Sequence, residues 1–158
     1  KDVKVQLNFN PNHIKEYRLI GYENRLLGEE DFGNDEVDAG EIGANQSITA
    51  LYELIPQLSA NNTGATIAID FRYKLPAEDF SILTELNVFD GSTPFDEASE
   101  SMRFAASVAA YGMLLRDSEY IGTATYEQAT IWAQSAMDFD PQQHRSSFLD
   151  LISIAEGL

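Results

Sequence analysis

The stretch "DGSTPFDEASES" (residues 90–101) separates two kinds of hydrophobic periodicity and so decides the fold class. Before it, apolar residues recur at every second position, as in a strand with one buried face. After it they recur at three- and four-residue spacing, as on one side of a helix. A run of strands followed by a run of helices implies an α+β domain rather than alternating βαβ units. The expectation is a single domain, with an antiparallel sheet or sandwich-like part over residues 1–95 and a three-helix layer over 96–158.

On the N-terminal side, "VKVQLNF" (3–9) alternates Val3, Val5, Leu7 and Phe9 with Lys4, Gln6 and Asn8. "NPN" (10–12) supplies turn chemistry, because proline fixes its own φ and asparagine bonds its local backbone. A second strand, "KEYRLIGY", follows. Farther on, "SITALYELI" (47–55) is rich in branched and aromatic residues. "ATIAIDFRYKL" (65–75) alternates again, with Ala65, Ile67, Ile69, Phe71, Tyr73 and Leu75 on one face and Thr66, Asp70, Arg72 and Lys74 on the other. The loop "SANNTG" between these two runs predicts a long antiparallel hairpin, and "ILTELNVF" (82–89) predicts a shorter fifth strand.

On the C-terminal side, Phe104, Val108, Tyr111 and Leu115 fall on one helical stripe of about five turns. Beside it Ala105, Ala109 and Gly112 form a smooth strip suited to close backbone approach. "TYEQ" has capping-box form, with Thr125 as cap and Gln128 three residues on, and the helix it opens would bury Ala129, Trp132, Ala133 and Ala136. A third helix is predicted from "DPQQ", with Asp140 as cap and Pro141 at the first helical position. Its inner face would be Phe148, Leu151, Ile152 and Ala155. The three helices are expected to pack on one another and on one sheet face.

Composition narrows the function. The 158 residues suffice for one core, and a hydrophobic share of 44 % argues for a folded chain. With 26 acidic against 10 basic side chains the net charge is -16, which repels phosphate backbones and anionic headgroups and excludes nucleic acid as an expected partner. No apolar run approaches the roughly 18 residues of a membrane span, so direct insertion is not expected. The opening "KDVKVQLNF" lacks a methionine and starts almost within a strand, and it reads as a piece of a longer protein. The absence of cysteine removes disulfides, thiolate metal sites and a cysteine nucleophile.

Catalytic patterns are equally sparse. Serine-based catalysis needs an activating base, and the two histidines, His13 beside a proline and His144 in a helical first turn, are both expected at exposed positions. No G-x-S-x-G elbow, G-x-x-x-x-G-K-[ST] cradle or G-x-G-x-x-G turn occurs. Nothing singles out a carboxylate pair of the glycosidase kind.

The segment "DFGNDEVDAGEIG" (31–43) concentrates carboxylates and glycines with no basic residue. An EF-hand loop requires oxygen ligands at positions one, three and five, glycine at six and glutamate at twelve. Starting at Asp31 places Gly33 at three and Glu36 at six; starting at Asp35 places Val37 at three. Two readings stay open: an irregular oxygen cage of Asp31, Asp35, Asp38 and a carbonyl around calcium, or a structural loop. In the structural reading Gly40 and Gly43 supply positive backbone angles, while Asp38 and Glu41 accept backbone N–H bonds or pair with Arg25. The Asn-x-Ser/Thr sequences at Asn45 and Asn61 bear on glycosylation only in a glycosylating host.

Taken in order, "KDVKVQLNFNP", "YRLIGYENRLL", "EDFGNDEVDAGEIGANQSITALYELIP", "FRYKLP" and "RFAASVAAYGMLLRDSEY" resemble the region of unknown function that follows the von Willebrand factor type A domain in bacterial proteins, often lipoproteins. The resemblance covers essentially the whole chain. Where such proteins commonly read glycine-histidine after "DAGEIGA", this chain has Asn45 and Gln46. The D-x-S-x-S of the metal-dependent adhesion site belongs to the A domain and is absent here, so no metal ligand is carried over. The resemblance implies an extracytoplasmic protein of the periplasm or outer membrane, lipid-anchored through an upstream part, and an accessory or interaction role beside the A domain. Its implied partners are that A domain and a further protein. No catalytic, cofactor-binding or metal-binding residue is assigned; the alternative is a calcium-dependent binding module using residues 31–43.

Overall fold

The computed structural model describes residues 1–21, 26–57 and 63–157. The chain divides into two compact units, Lys1–Gly91 and Ser92–Leu158. The first is built of antiparallel strands and the second of helices, so the fold is α+β as its periodicities require.

In the first unit the strands are β1 (Lys4–Phe9), β2 (Ile14–Ile20), β3 (Leu51–Pro56), β4 (Ile67–Tyr73) and β5 (Ile82–Val88). They form a three-stranded sheet in the order β1-β4-β5 and a separate two-stranded ribbon β2-β3. The expected hairpin between "SITALYELI" and "ATIAIDFRYKL" is therefore not formed. Both edges of β4 are occupied, by β1 in the register Lys4↔Arg72 to Phe9↔Ile67 and by β5 in the register Ile67↔Val88 to Tyr73↔Ile82. β3 pairs instead with β2, from Ile14↔Pro56 to Ile20↔Leu51. The physical reason lies in loop length: a connection running from 57 to 66 is too long to impose a hairpin register, whereas β1 and β4 have matching apolar faces that fix theirs. Most of "SANNTG" lies outside the described residues.

The turn 10–13 links the sheet to the ribbon. Asn10 Oδ1 accepts the Asn12 N–H at 3.0 Å, and the Asn10 carbonyl accepts from His13 and Ile14 at 2.9 and 2.8 Å. Immediately beyond it, Phe9 of β1 stacks on Tyr17 of β2 with ring centroids 4.0 Å apart, and Tyr52 of β3 lies 5.6 Å from Phe9. This aromatic group joins ribbon to sheet.

The second unit holds α1 (Glu100–Leu115), α2 (Tyr126–Gln134) and α3 (His144–Glu156). Its core is Ala110, Ala129, Ala133, Phe148 and Ile152, with Phe104, Tyr111 and Trp132 packed around it. The stripe on α1 is turned from its expected orientation. Phe104 and Tyr111 face the core, but Val108 and Leu115 are exposed, and Ser107 and Ala110 are the buried positions. Small residues win because they let α2 approach: Ser107 Oγ donates to the Ala129 carbonyl at 2.6 Å. The close contact is thus made by Ser107 and Ala110 rather than by Ala105, Ala109 and Gly112, and a Cβ added at Gly112 would meet nothing within 4 Å.

Helix ends follow their caps. Thr125 accepts from the Gln128 N–H at 3.0 Å, as the capping box predicts, and Ser99 caps α1 through Met102. α3 starts later than expected, at His144, because a turn closed by Gln143 N–H to the Asp140 carbonyl intervenes, with Gln143 left-handed at φ 58°. Asp140 still caps from upstream, its carboxylate accepting the Arg145 and Ser146 N–H groups at 3.0 and 2.9 Å. On α3, Phe148 and Ile152 are buried but Leu151 is exposed.

The C-terminus of α2 has no glycine, and arginines satisfy its last carbonyls instead. Arg103 donates through Nη2 to the Ser135 carbonyl at 2.7 Å, and Arg145 donates to the Ala136 carbonyl. Arg145 also binds Glu100 Oε1 at 2.8 Å and sits 4.9 Å from the Phe104 ring. One guanidinium thereby ties α1, the end of α2 and α3 together.

Candidate functional site

The polar face of the three-stranded sheet is the better covered one. Lys4, Thr66 and Lys74, all on the side expected to meet solvent, are buried, whereas Val5 on the apolar side is exposed. The acidic segment 31–43 explains the inversion, because it supplies oxygen to the lysines. Lys4 Nζ donates to the Asp31 and Asn34 carbonyls at 3.0 and 2.5 Å. Lys74 Nζ donates to the Asp35 carbonyl at 2.6 Å and to Asp2 Oδ2 at 2.8 Å. A buried ammonium is tolerable only when its protons are taken, and backbone carbonyls with one carboxylate do so here.

Further bonds fix the segment in place. Val3 N–H donates to the Gly40 carbonyl at 2.7 Å, Asp2 Oδ1 accepts the Ala39 N–H at 3.3 Å, and Glu41 Oε1 accepts the Asp2 N–H at 3.4 Å. Asp35 Oδ2 takes the Ser81 N–H at 3.2 Å, and Phe32 covers the Arg72 guanidinium at 5.4 Å. Electrostatics follow from these partners. The Lys74 ammonium beside Asp2, aided by the Ala39 N–H, holds the Asp2 carboxyl at about 2 against the opposing effect of burial. Bonds from Ser81, with Lys74 and Arg72 nearby, lower Asp35. Lys74 is raised, chiefly by Asp2.

The candidate calcium set is not assembled. Of Asp31, Asp35 and Asp38, only Asp38 joins a group of carboxylates whose oxygens lie within 4.8 Å of one another, and its companions are Asp2 and Glu41. Asp2 in that group already carries the Lys74 ammonium. Asp31 and Asp35 are committed through their carbonyls to Lys4 and Lys74. Gly40 and Gly43 lack the positive φ expected of them; in this loop Asn45 has it, at φ 63°. Gly40 is instead the bridge partner of Val3, and Gly43 N–H donates to Gln46 Oε1 at 2.9 Å. Arg25 and Asn61 lie outside the described residues.

His13 is buried rather than exposed. Its Nδ1 lies 3.2 Å from Thr66 Oγ1, which also accepts the Asp90 N–H at 3.0 Å, and among the described residues its Nε2 has no hydrogen-bond partner. The turn at Asn10 swings His13 against the start of β4, which local composition could not show. His144 is exposed at the start of α3.

A groove of about 510 Å³ runs along the outer edge of β1. It is lined by the strand from Val5 to Phe9 and by Tyr17, Leu26, Leu27, Glu29 and Phe32. Among the described residues no helix is long and apolar enough to cross a membrane.

The class of domain defined here is an α+β chain whose acidic loop is folded over two strand lysines, with a groove beside its first strand. The chain belongs to the family described as the C-terminal part of the uncharacterized protein YfbK, which it matches over residues 1–158. It is 42 % identical over 175 residues to the uncharacterized protein YfbK of Escherichia coli (strain K12), an alignment covering 100 % of this chain and 30 % of that relative. The chain thus spans about a third of the length of that relative. No solved structure matches.

Proposed function

We propose that this chain is a non-catalytic accessory unit of an extracytoplasmic bacterial protein, following a von Willebrand factor type A domain and mediating contacts between that domain and other proteins. The observation that carries the reading is the exposed apolar side of the three-stranded sheet. Val5, Ile82 and Leu86 share that side by register and are 54, 41 and 60 % exposed. Apolar side chains clustered on a sheet face at the surface mark contact sites more often than solvent-facing structure. The greater length of YfbK leaves ample room for an upstream domain.

The calcium-dependent reading of residues 31–43 has less support, because lysines occupy the carbonyls that would face the ion. Lipid anchoring through an upstream segment belongs to the same proposal. Cross-linking mass spectrometry on intact cell envelopes containing the full-length protein tests it. Cross-links from residues 1–158 to the A domain and to another envelope protein are expected. Cross-links confined to residues 1–158 would overturn the reading.

A further inference from the structure

We propose that the outer edge of β1 binds an extended, basic peptide segment by strand addition, in the groove between Val5–Phe9 and residues 26–32. This rests on the interaction role above and names the class of partner that would serve it.

β1 is an edge strand in the order β1-β4-β5. The Asn10 N–H donates to the Thr66 carbonyl at 3.0 Å, in line with the β1–β4 register, so the even-numbered residues of β1 turn their N–H and C=O groups toward β4. Val3 donates the opposite way, to Gly40 at 2.7 Å. The odd-numbered residues Val5 and Leu7 therefore point their backbone groups outward, into the groove. Among the described residues nothing pairs with them. An unpaired edge with free N–H and C=O groups is a template for another strand, and Gly40 already uses that template one step earlier, at Val3.

The groove's lining says what kind of strand. Leu26, Leu27 and Tyr17 give apolar walls for every second side chain, and Glu29, the first residue of the acidic turn Glu29–Asp31, lines the groove beside them. Among the described residues no basic side chain lines it. A second copy of this chain is the obvious rival occupant, since β1 could pair with β1, but two bodies each carrying -16 repel one another. Charge selects a segment that alternates apolar residues with lysine or arginine. At about 3.3 Å per residue, some five residues would fill the strand's outward positions.

The test uses a capped nonapeptide of alternating valine and lysine, added to this protein while amide hydrogen exchange is followed residue by residue. A peptide of the same composition with proline at alternate positions controls for charge alone. The expected result is about tenfold slower exchange at Val5 and Leu7 with the first peptide and none with the second. Glu29→Lys should weaken binding by roughly twofold to fivefold at low salt. Val5→Pro removes one outward donor without touching a β4 bond and should abolish the protection; Glu29→Lys, at an exposed site, keeps the test valid if that variant fails to fold. Unchanged exchange at Val5 and Leu7, equal binding of the proline peptide, or protection arising from self-association without peptide would each overturn the proposal. Envelope cross-links that avoid β1 would sink the groove while leaving the accessory role standing, whereas protected amides without any envelope partner would do the reverse.

Discussion

Lys74 Nζ lies 2.8 Å from Asp2 Oδ2, with the two side chains only 9 and 12 % exposed. The pair joins a residue two positions before β1 to the residue after β4, and its ammonium reaches on to the Asp35 carbonyl at 2.6 Å. One side chain thus holds the start of the chain, the end of the central strand and the acidic segment. The carboxylates of residues 31–43 set the charge around the lysines, but the backbone carbonyls do most of the holding.

This arrangement predicts a pH profile. Asp2 is depressed from 3.8 to about 2 and Asp35 is lowered as well, so their stabilisation is fully present above their unfolded values and is lost as pH falls from about 4 toward 2. Lys74 is raised above 10.5, so its share is present below that value and is lost as pH rises through its higher folded value. The melting temperature of the β unit should be flat across neutral pH and fall at both ends. Asp2→Asn should lower the neutral plateau and flatten the acid limb; an acid limb as steep as in the parent would refute the assignment.

Calcium should leave the protein unmoved. The carbonyls of Asp31, Asn34 and Asp35 face lysines, and bringing a divalent cation to the same oxygens would place it against two ammonium groups. Millimolar calcium is expected to shift the melting temperature no more than magnesium at equal ionic strength. Lys74→Met should loosen residues 31–43, seen as faster proteolysis there. A saturable calcium-specific rise in melting temperature would overturn the lysine-clamp reading.

Legibility from sequence followed the range of the interactions. Among the described residues the five strands and three helices were readable, β1, β4 and α1 from their periods, β3 from its branched and aromatic residues and α2 and α3 from their caps and inner faces, and so was the Thr125 cap, a contact over three residues. Strand pairing was not: β3 chose β2 over β4 because β1, far away in sequence, had taken β4's edge. The polar alternation was correct while its exposure was reversed, because nothing local tells Lys4 and Lys74 that a loop 27 to 39 residues distant will cover them. Two lysines in strand positions facing a cation-poor acidic loop were the available signal. His13 failed for the same reason, its partner Thr66 being 53 residues on.

The reorientation of the helical faces has a direct mutational consequence. Ile152 is fully buried and Leu151 is 52 % exposed, although the period placed both inward. Ile152→Ala should cost about 2–5 kcal/mol, as truncation in a packed core does, and Leu151→Ala under about 1 kcal/mol. Chemical denaturation monitored through Trp132, which packs beside this core, would measure both. Equal losses would place the inner face where the sequence period puts it.

Arg145 offers the sharpest test of how the helices are held. Its Nη1 bonds Glu100 Oε1 at 2.8 Å and the Ala136 carbonyl, and its guanidinium plane lies 4.9 Å from the Phe104 ring. Lysine would keep the charge, yet a single ammonium lacks the planar fork that serves a carboxylate and a carbonyl while stacking on a ring. Arg145→Lys should therefore lose about 1–2 kcal/mol from the weaker stacking and one missing bond. Glu100→Gln should lose less, under about 1 kcal/mol, because the pair is partly exposed and the amide oxygen still accepts from Asp138 N–H, now 2.6 Å from Glu100 Oε1. If the ion pair dominated instead, the ranking would reverse and high salt would erase the difference. Equilibrium unfolding of both single variants and the double variant, at low and high salt, separates the two cases, with coupling between the sites that persists in high salt as the expected outcome.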